Sequence, residues 1–247
     1  MKKMTFSLLI IMFLFIPVVT NNKIEASQGG HLLKYNEQLS TELLSIEHII
    51  LLEEIIVLPN ESFYKDDAIQ MIENVSKIHP NILKKTVENK VKLKLFTGSL
   101  TDQPGLTHLK GIMPKGYVRY TWDDVPGAGG AKMAYAKIGH SHKGKGHGSI
   151  NLELHELAHS IDNHVFNSLR DDQEFLKIWK EESSVLFPDQ PYFINHVEEY
   201  FAEVFAMYYL SFFTQTELYI HAPKTYYYLQ QLEAEEPFPL EMAMIFH

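Results

Sequence analysis

Cysteine is absent from the 247-residue chain. This absence excludes a small disulfide-stabilised scaffold, so stability must come from a packed core or from a bound metal ion. Basic residues are also in deficit, because 22 lysines and arginines stand against 31 aspartates and glutamates, for a formal net charge of −9. A nucleic-acid binder needs a basic face to neutralise phosphates, so the charge disfavours that class of partner.

Long apolar segments are missing as well, except at the N-terminus. The stretch MKKMTFSLLIIMFLFIPVVT has a basic start and an apolar run, and small residues follow it. We interpret residues 1–26 as a signal peptide cleaved after Ala26. The alternative is a membrane anchor, but the run is short of the roughly 20 apolar residues of a span, and Pro17 interrupts it. We therefore expect a secreted, extracellular protein of a Gram-positive type of bacterium, without stable membrane association once the signal is removed.

The remaining chain changes pattern near its middle. Up to residue 149 both helical and alternating patterns occur, whereas beyond it the periodicity is helical. This predicts an α+β, mainly helical fold, with a small mixed sheet in an N-terminal lobe (about 53–149) and an all-helical C-terminal lobe (about 150–247). The predicted helices are 37–56, 66–78, 150–166, 171–183, 196–213 and 222–234, the predicted strands are 90–98 and 131–139, and 100–130 reads as loops.

The sequence HELAH at residues 155–159 is an H-E-x-x-H motif. With about 3.6 residues per turn, His155 and His159 lie on one face of a helix, so both imidazoles can reach one metal ion. Glu156 lies about 100° around the helix, beside the ion, where it can take a proton from a water molecule. His164 would point away from the ion, so we expect a solvated side chain there.

A third ligand is needed, and the metzincin pattern does not supply it. That pattern requires Gly and His where this chain has Asp162 and Val165. A later helix offers Glu199 and Glu203, one turn apart beside an apolar stripe, with Asn195 and Glu198 at capping-box spacing. Glu199 can bind a metal ion, and Glu203 can accept the N–H of a ligand histidine. A salt-bridged or solvated pair is the alternative interpretation.

Several strings together resemble a known family. HELAHSID, EEYFAEVFAMYY and APKTYYYLQQL are similar to the catalytic domain of anthrax lethal factor and, more closely, to the secreted Pro-Pro endopeptidases. The closer resemblance includes IIVLP, LTD, LKGIMPKG, TWDDVPGAGG and KGKGHGSINLELHE, and it extends over the chain from about residue 53. It implies a zincin-like, two-lobe metallopeptidase, with residues 27–247 forming a single catalytic domain.

The resemblance also implies roles for individual residues. One Zn²⁺ ion would be held by His155, His159 and Glu199, with Glu156 as general base. A tyrosine seven residues before the third ligand assists the oxyanion in the family, and Tyr192 stands at that position, ahead of the predicted helix. Its hydroxyl could donate a hydrogen bond to the carbonyl oxygen under attack.

The family further implies a protein or peptide substrate, cut between two prolines in an extended Pro-rich segment. Lys115, Tyr117 and His147 are expected to contact it. Tyr117 replaces a tryptophan of the family, and the connection to Trp122 is two residues shorter, so the preference around the prolines should differ.

Other features bear on how the substrate and the rest of the chain are arranged. We expect strand 131–139 to be the sheet edge that receives the peptide, with VPGAGG as a mobile loop before it. Residues 27–52 look like an addition to the family pattern that either packs on the lobe or partly covers the cleft.

The protein is expected to be a monomer. The alternative functions are a lethal-factor-like protease directed at host proteins and a catalytically inactive binding relative.

Overall fold

The computed structural model describes residues 29–114 and 119–234. Within this part, the N-terminal lobe contains a five-stranded mixed sheet with helices packed against it. The strands are β1 (Gly30–Leu32), β2 (Ile56–Pro59), β3 (Lys92–Phe96), β4 (Gly127–Ala128) and β5 (Met133–Lys137). The helices are α1 (Glu37–Glu42), α2 (Ile49–Ile55), α3 (Lys65–Ser76) and α4 (Pro80–Glu88).

The strands lie in the order β1-β2-β3-β5-β4. The three central strands are parallel to one another, with Leu93 of β3 opposite Ala134 of β5, whereas both outer strands run antiparallel to their neighbours. Parallel central strands covered by helices are typical of a buried α/β core. The sheet is therefore mixed, as the sequence predicted.

The expected sheet edge is wrong. Residues 133–137 form an inner strand, because the segment VPGAGG supplies β4, and Gly127 and Ala128 pair with Ala136 and Tyr135. The loop prediction failed because a two-residue strand of glycine and alanine carries no alternating pattern. The outermost strand on this side is thus β4, which came from the predicted mobile loop.

The C-terminal lobe is all helical in its described part. Its helices are α5 (Leu152–His164), α6 (Gln173–Leu186), α7 (Pro191–Asn195), α8 (Val197–Leu210), α9 (Phe212–His221) and α10 (Pro223–Leu232). Helix α8 is buried almost throughout and packs against α5, which also contacts β5 of the sheet. The pairing of α5 with α8 brings the two ligand-bearing segments together. The α+β, mainly helical fold class is confirmed.

The helices near Asn195 and Ser211 differ from the prediction, which also lacks α4. The capping box at Asn195 and Glu198 does not form, because Asn195 ends α7 and His196 precedes α8 without a side-chain cap. The prediction also missed α9, which begins after Ser211 as a separate helix with its own capping box, formed with Thr214. In both cases a short change of direction between apolar helices left the periodicity nearly unbroken.

The N-terminal addition packs on the lobe. The predicted helix 37–56 is divided into α1 and α2, and His48 between them has a positive φ of 60°. β1 lies at the opposite end of the sheet from β4, so this strand does not cover β4. The predicted signal peptide lies outside the described residues. Across the described ranges, the helices are all too short or too polar to span a bilayer.

Candidate metal centre and active site

Helix α5 presents the two motif histidines on one face. Asn151 caps the helix, since its side-chain oxygen accepts a hydrogen bond of 2.9 Å from the Leu154 amide. The rings of His155 and His159 are 4.9 Å apart, and their Nε2 atoms are 3.2 Å apart. Two nitrogen donors thus converge on one point, as the i, i+4 spacing predicted.

A buried carboxyl group fastens the first turn of α5. Oε1 of Glu153 accepts hydrogen bonds from Asn74 on α3, from Ser141 and from Asn151, at 2.8, 3.0 and 2.8 Å. These bonds connect the metal helix to the N-terminal lobe and to the loop that precedes it. The bonds from Asn74 and Ser141 therefore fasten this helix of the C-terminal lobe to the N-terminal lobe.

Glu199 completes a three-residue cluster from the facing helix α8. Its Oε2 lies 3.3 Å from Nε2 of His155 and 3.4 Å from Nε2 of His159. Among the described residues, His155, His159 and Glu199 are the group whose donor atoms, all within 4.8 Å of one another, could hold a metal ion. Two imidazoles and one carboxylate are the protein ligands of many catalytic zinc sites, which keep a fourth position for water or substrate.

The electrostatics of the cluster favour a cation. Burial lowers the pKa of His155, but hydrogen bonds to Glu199 and Glu203 outweigh burial and raise that pKa to about 10. Burial raises the pKa of Glu199, and the hydrogen bonds with His155 and His159 reverse this, so the net pKa is far below its usual value. The carboxylate is thus ionised, and a metal ion and a proton compete for the same imidazole nitrogens.

Glu203 lies one turn after Glu199 on α8 and touches the other nitrogen of His155. Its Oε2 is 3.2 Å from Nδ1 of His155, and its Oε1 accepts the Ile150 amide at 2.9 Å. Glu203 as a whole is only 3% exposed. A carboxylate at Nδ1 holds the N–H there, so the Nε2 lone pair is directed at the cluster. This is the contact that the spacing of the two glutamates suggested.

Glu156 follows His155 and lies against β4. Burial raises the pKa of its carboxyl group, although His155 and His159 act in the opposite direction. A Cβ atom built on Gly127 would lie 2.9 Å from Oε1 of Glu156, and one on Gly129 would lie 2.2 Å from the Glu156 carbonyl oxygen. Gly127 of β4 and Gly129 directly after it therefore allow the strand to approach the metal helix. The sequence marked these glycines only as loop residues.

Tyr192 lies on the short helix α7, seven residues before Glu199, and it is 51% exposed. The sequence placed it ahead of a helix start, whereas it belongs to a helix of its own. Its ring packs against Phe193 and His196, at centroid distances of 5.6 and 5.5 Å. The hydroxyl group is thus carried by a surface helix next to the one that holds Glu199, and its role in the reaction stays a prediction.

The structure describes only some of the remaining predicted site residues. Lys115 and Tyr117 lie outside the described residues. His147 is partly buried and bonds within its own loop, to Ser149 and to His140. His142 is exposed. His164 is not fully solvated, contrary to the prediction, because its Nε2 is buried at the end of α5.

Known proteins are similar to this chain in sequence and structure. Residues 44–232 match the family described as "Anthrax toxin lethal factor, N- and C-terminal domain". A Pro-Pro endopeptidase of Clostridioides difficile is 42% identical over 183 residues, which cover 73% of this chain and 82% of that protein. The chain belongs to the Pro-Pro endopeptidase family.

Further relatives agree with this membership. A Pro-Pro endopeptidase of Paenibacillus alvei is 38% identical over 186 residues, 74% of this chain and 85% of the relative. The solved structure of a Paenibacillus alvei Pro-Pro endopeptidase has a TM-score of 0.71 at 37% identity, and the match covers 74% of this chain and 99% of that one. Together with the cluster on α5 and α8, the family shows that the protein is a metalloendopeptidase.

Proposed function

We propose that the protein is a secreted zinc endopeptidase that hydrolyses the bond between two prolines in Pro-rich segments of extracellular or surface proteins. The observation that carries the proposal is the convergence of His155, His159 and Glu199 beside Glu156. The names of the relatives support Pro-Pro specificity, and the apolar N-terminus supports export.

Zinc suits this donor set better than the common alternatives. Ca²⁺ takes about six to eight oxygen ligands and Mg²⁺ prefers an octahedral oxygen shell, whereas the cluster offers two imidazole nitrogens and one carboxylate. When bound, zinc acts as a Lewis acid that polarises the scissile carbonyl and lowers the pKa of water. One ion would suffice for the three donor groups.

The surrounding side chains then handle the protons. Glu156 takes the proton of the attacking water and passes it to the leaving nitrogen, a task for which a raised carboxyl pKa is suited. The Tyr192 hydroxyl donates a hydrogen bond to the developing oxyanion. Glu203 keeps the N–H of His155 on Nδ1, so that Nε2 remains a lone-pair donor.

Strand β4 is the place where the substrate backbone would bind. It is the outermost strand on its side of the described sheet, and its glycines bring it against Glu156. An extended peptide that pairs with an edge strand is held by main-chain hydrogen bonds, and a stiff Pro-rich segment loses little entropy when it is ordered. Lys115, Tyr117 and His147 were assigned to substrate contact, and for Lys115 and Tyr117 that assignment remains part of the proposal.

Two further parts of the proposal concern the state of the protein. We expect a monomer without stable membrane association after export. Among the alternatives, a host-directed protease is less favoured because the curated relatives are Pro-Pro endopeptidases. A catalytically inactive relative is less favoured because the motif residues and Glu199 converge.

A pair of peptides tests this function. Both have the same length and flanks, one with a central Pro-Pro and the other with Ala-Ala, and products are identified by mass spectrometry. We expect cleavage between the prolines, loss of cleavage on chelation, and recovery with Zn²⁺ but not with Mg²⁺.

Two outcomes would overturn parts of the proposal. A zinc-loaded protein that cuts neither peptide, nor any peptide of a Pro-Pro library with varied flanks, would contradict the endopeptidase activity. Cleavage of Ala-Ala in preference to Pro-Pro would keep the activity and remove the proposed specificity.

A further inference from the structure

His147 bridges two parts of the loop that leads into the metal helix. Its Nε2 lies 2.7 Å from the carbonyl oxygen of His140, and its Nδ1 lies 2.7 Å from Oγ of Ser149. A carbonyl oxygen can only accept, so Nε2 carries the hydrogen and donates it. Nδ1 then accepts the hydroxyl hydrogen of Ser149. Both ring nitrogens are thus engaged by the protein itself.

The end of this loop, Ser149 and Ile150, places a main-chain N–H donor at the metal centre. Ser149 is buried, and the next residue, Ile150, donates its amide hydrogen to Oε1 of Glu203 at 2.9 Å. The other oxygen of Glu203 is the one that faces Nδ1 of His155, at 3.2 Å. A continuous series of contacts therefore runs from His147 through Ser149 and Ile150 to Glu203 and the metal-ligand histidine.

We propose that His147 is a positioning residue for the metal centre, acting through Ser149, Ile150 and Glu203 on His155. The inference rests on the proposed function, because it requires that His155 binds a metal ion. By holding the loop closed, His147 fixes the Ile150 amide, and this amide orients the Glu203 carboxylate. The carboxylate in turn keeps the hydrogen of His155 on Nδ1.

This role differs from the substrate contact that the sequence suggested for His147. A substrate group could bond to the ring only by displacing Ser149 or the His140 carbonyl, and both bonds are short. Burial lowers the pKa of His147, which favours the neutral form with one donor and one acceptor nitrogen. The geometry and the tautomer agree with an internal bridge.

The test compares His147→Phe, His147→Gln and the wild-type protein. Phenylalanine keeps a ring without hydrogen bonds, whereas the glutamine amide can still donate to the His140 carbonyl. Each protein is stripped of metal and titrated with Zn²⁺ against a chromophoric chelator, and kcat and KM are measured separately on the Pro-Pro peptide. His142→Phe is the matched control, because His142 is an exposed histidine of the same loop.

We expect His147→Phe to weaken zinc binding about 10-fold or more, the scale known for outer-sphere partners of metal ligands. kcat should fall while KM changes little, and His147→Gln should recover part of the zinc affinity. His142→Phe should bind zinc like the wild type. Combining His147→Phe with Glu203→Gln should cost less than the sum of the two single losses, because both changes act through one carboxylate.

Other results would overturn the inference. If His147→Phe binds zinc as tightly as the wild type but raises KM, His147 contacts the substrate instead. If His147→Phe does not fold, Ser149→Ala decides, and unchanged zinc affinity in that variant contradicts the series of contacts. A wild-type protein that fails to bind zinc would refute the proposed function itself, a result separate from all of these.

Discussion

The two outer edges of the sheet use glycine for different purposes. At the β1 edge, a Cβ atom on Gly30 would lie 2.3 Å from the carbonyl oxygen of Leu58 in the neighbouring strand. At the β4 edge, Cβ atoms on Gly127 and Gly129 would meet Glu156 of the metal helix. In both places the missing side chain allows close approach of the backbone. One approach completes the sheet, and the other brings the sheet to the catalytic residues.

The surroundings of the two edges also differ, with structural contacts at the β1 edge and the metal helix at the β4 edge. The β1 edge is secured by structural contacts, among them the hydrogen bond of 2.8 Å from Nζ of Lys94 to the Gly29 carbonyl. The β4 edge is a two-residue strand next to α5 and is the outermost strand on its side of the described sheet. Changes at the β4 edge should therefore affect catalysis, and changes at the β1 edge should affect only stability.

The largest effect is expected for Glu156→Gln, beside β4. The amide cannot accept a proton, so kcat should fall by about 10²-fold to 10⁴-fold, the contribution of a general base. Zinc affinity should remain, since Glu156 is not one of the three converging ligands. Steady-state kinetics on the Pro-Pro peptide and a zinc titration measure the two quantities. Retention of wild-type kcat would show that another group is the base.

Gly127→Ala should have the next largest effect. The new methyl group would lie 2.8 Å from Cγ of Glu156, so the carboxylate must shift. A displacement of this kind can lower kcat by about 10-fold to 10²-fold. Zinc affinity should again be kept. Gly148→Ala is the matched control, because a Cβ atom there meets nothing within 4 Å. Equal activity of the two variants would contradict close packing of β4 against α5.

Gly30→Ala probes the opposite edge. The methyl group would collide with the Leu58 carbonyl oxygen, and relief by separating β1 from β2 should cost about 1–3 kcal/mol of unfolding free energy. kcat/KM at a temperature where the variant is folded should stay within about 2-fold of the wild type, the size of a surface effect of about 0.5 kcal/mol. Denaturant unfolding and peptide cleavage check the two parts. A large loss of activity in the folded variant would contradict the inference that the β1 edge affects stability and not catalysis.

The smallest effect concerns the pH dependence of stability at the β1 edge. Burial lowers the pKa of Lys94 below 10.5, so the unfolded chain binds more protons than the folded one between the lowered value and 10.5. Unfolding free energy then rises with pH in this window. Relative to Lys94→Met, which cannot titrate, the wild type should gain stability as pH rises towards 10.5. Denaturant unfolding from pH 7 to 10.5 measures the difference. If the wild type instead gained stability as pH falls, the pKa of Lys94 would be raised and not lowered by folding.

The prediction of the fold from sequence succeeded for most long patterns and failed for the short ones, and it also missed the nine-residue helix α4 and the break within 37–56. Helix α5 and strands β3 and β5 follow from periodicity over five or more residues, whereas the four-residue strand β2 was not predicted. β4 has two residues, and α7 has five, so neither shows a period. The capping box at Asn195 failed because Asn195 is the last residue of α7, whose position depends on tertiary contacts such as the bond from Trp179 to the Phe193 carbonyl.

The candidate site shows the same division. The spacing of His155 and His159 depends only on helical geometry, so the sequence predicted their convergence. Glu199 and Glu203 were recognised as a pair one turn apart, but the spacing alone left a salt-bridged or solvated pair open. The structure gives each carboxylate its own neighbour, with Glu199 at the Nε2 atoms and Glu203 at Nδ1 of His155.

The sequence by itself determined the type of chemistry, because a two-histidine motif on an amphipathic helix is a local property that few residues specify. Only the tertiary structure decided which strand forms the edge beside Glu156 and where His147 is directed. These depend on contacts such as those of β4 with α5, or of His147 with His140 and Ser149, whose energies come from close packing and paired hydrogen bonds. Such contacts leave no periodic pattern in the sequence. Whether a glycine or a histidine makes one depends on the segments that pack around it, and not on its spacing from other residues.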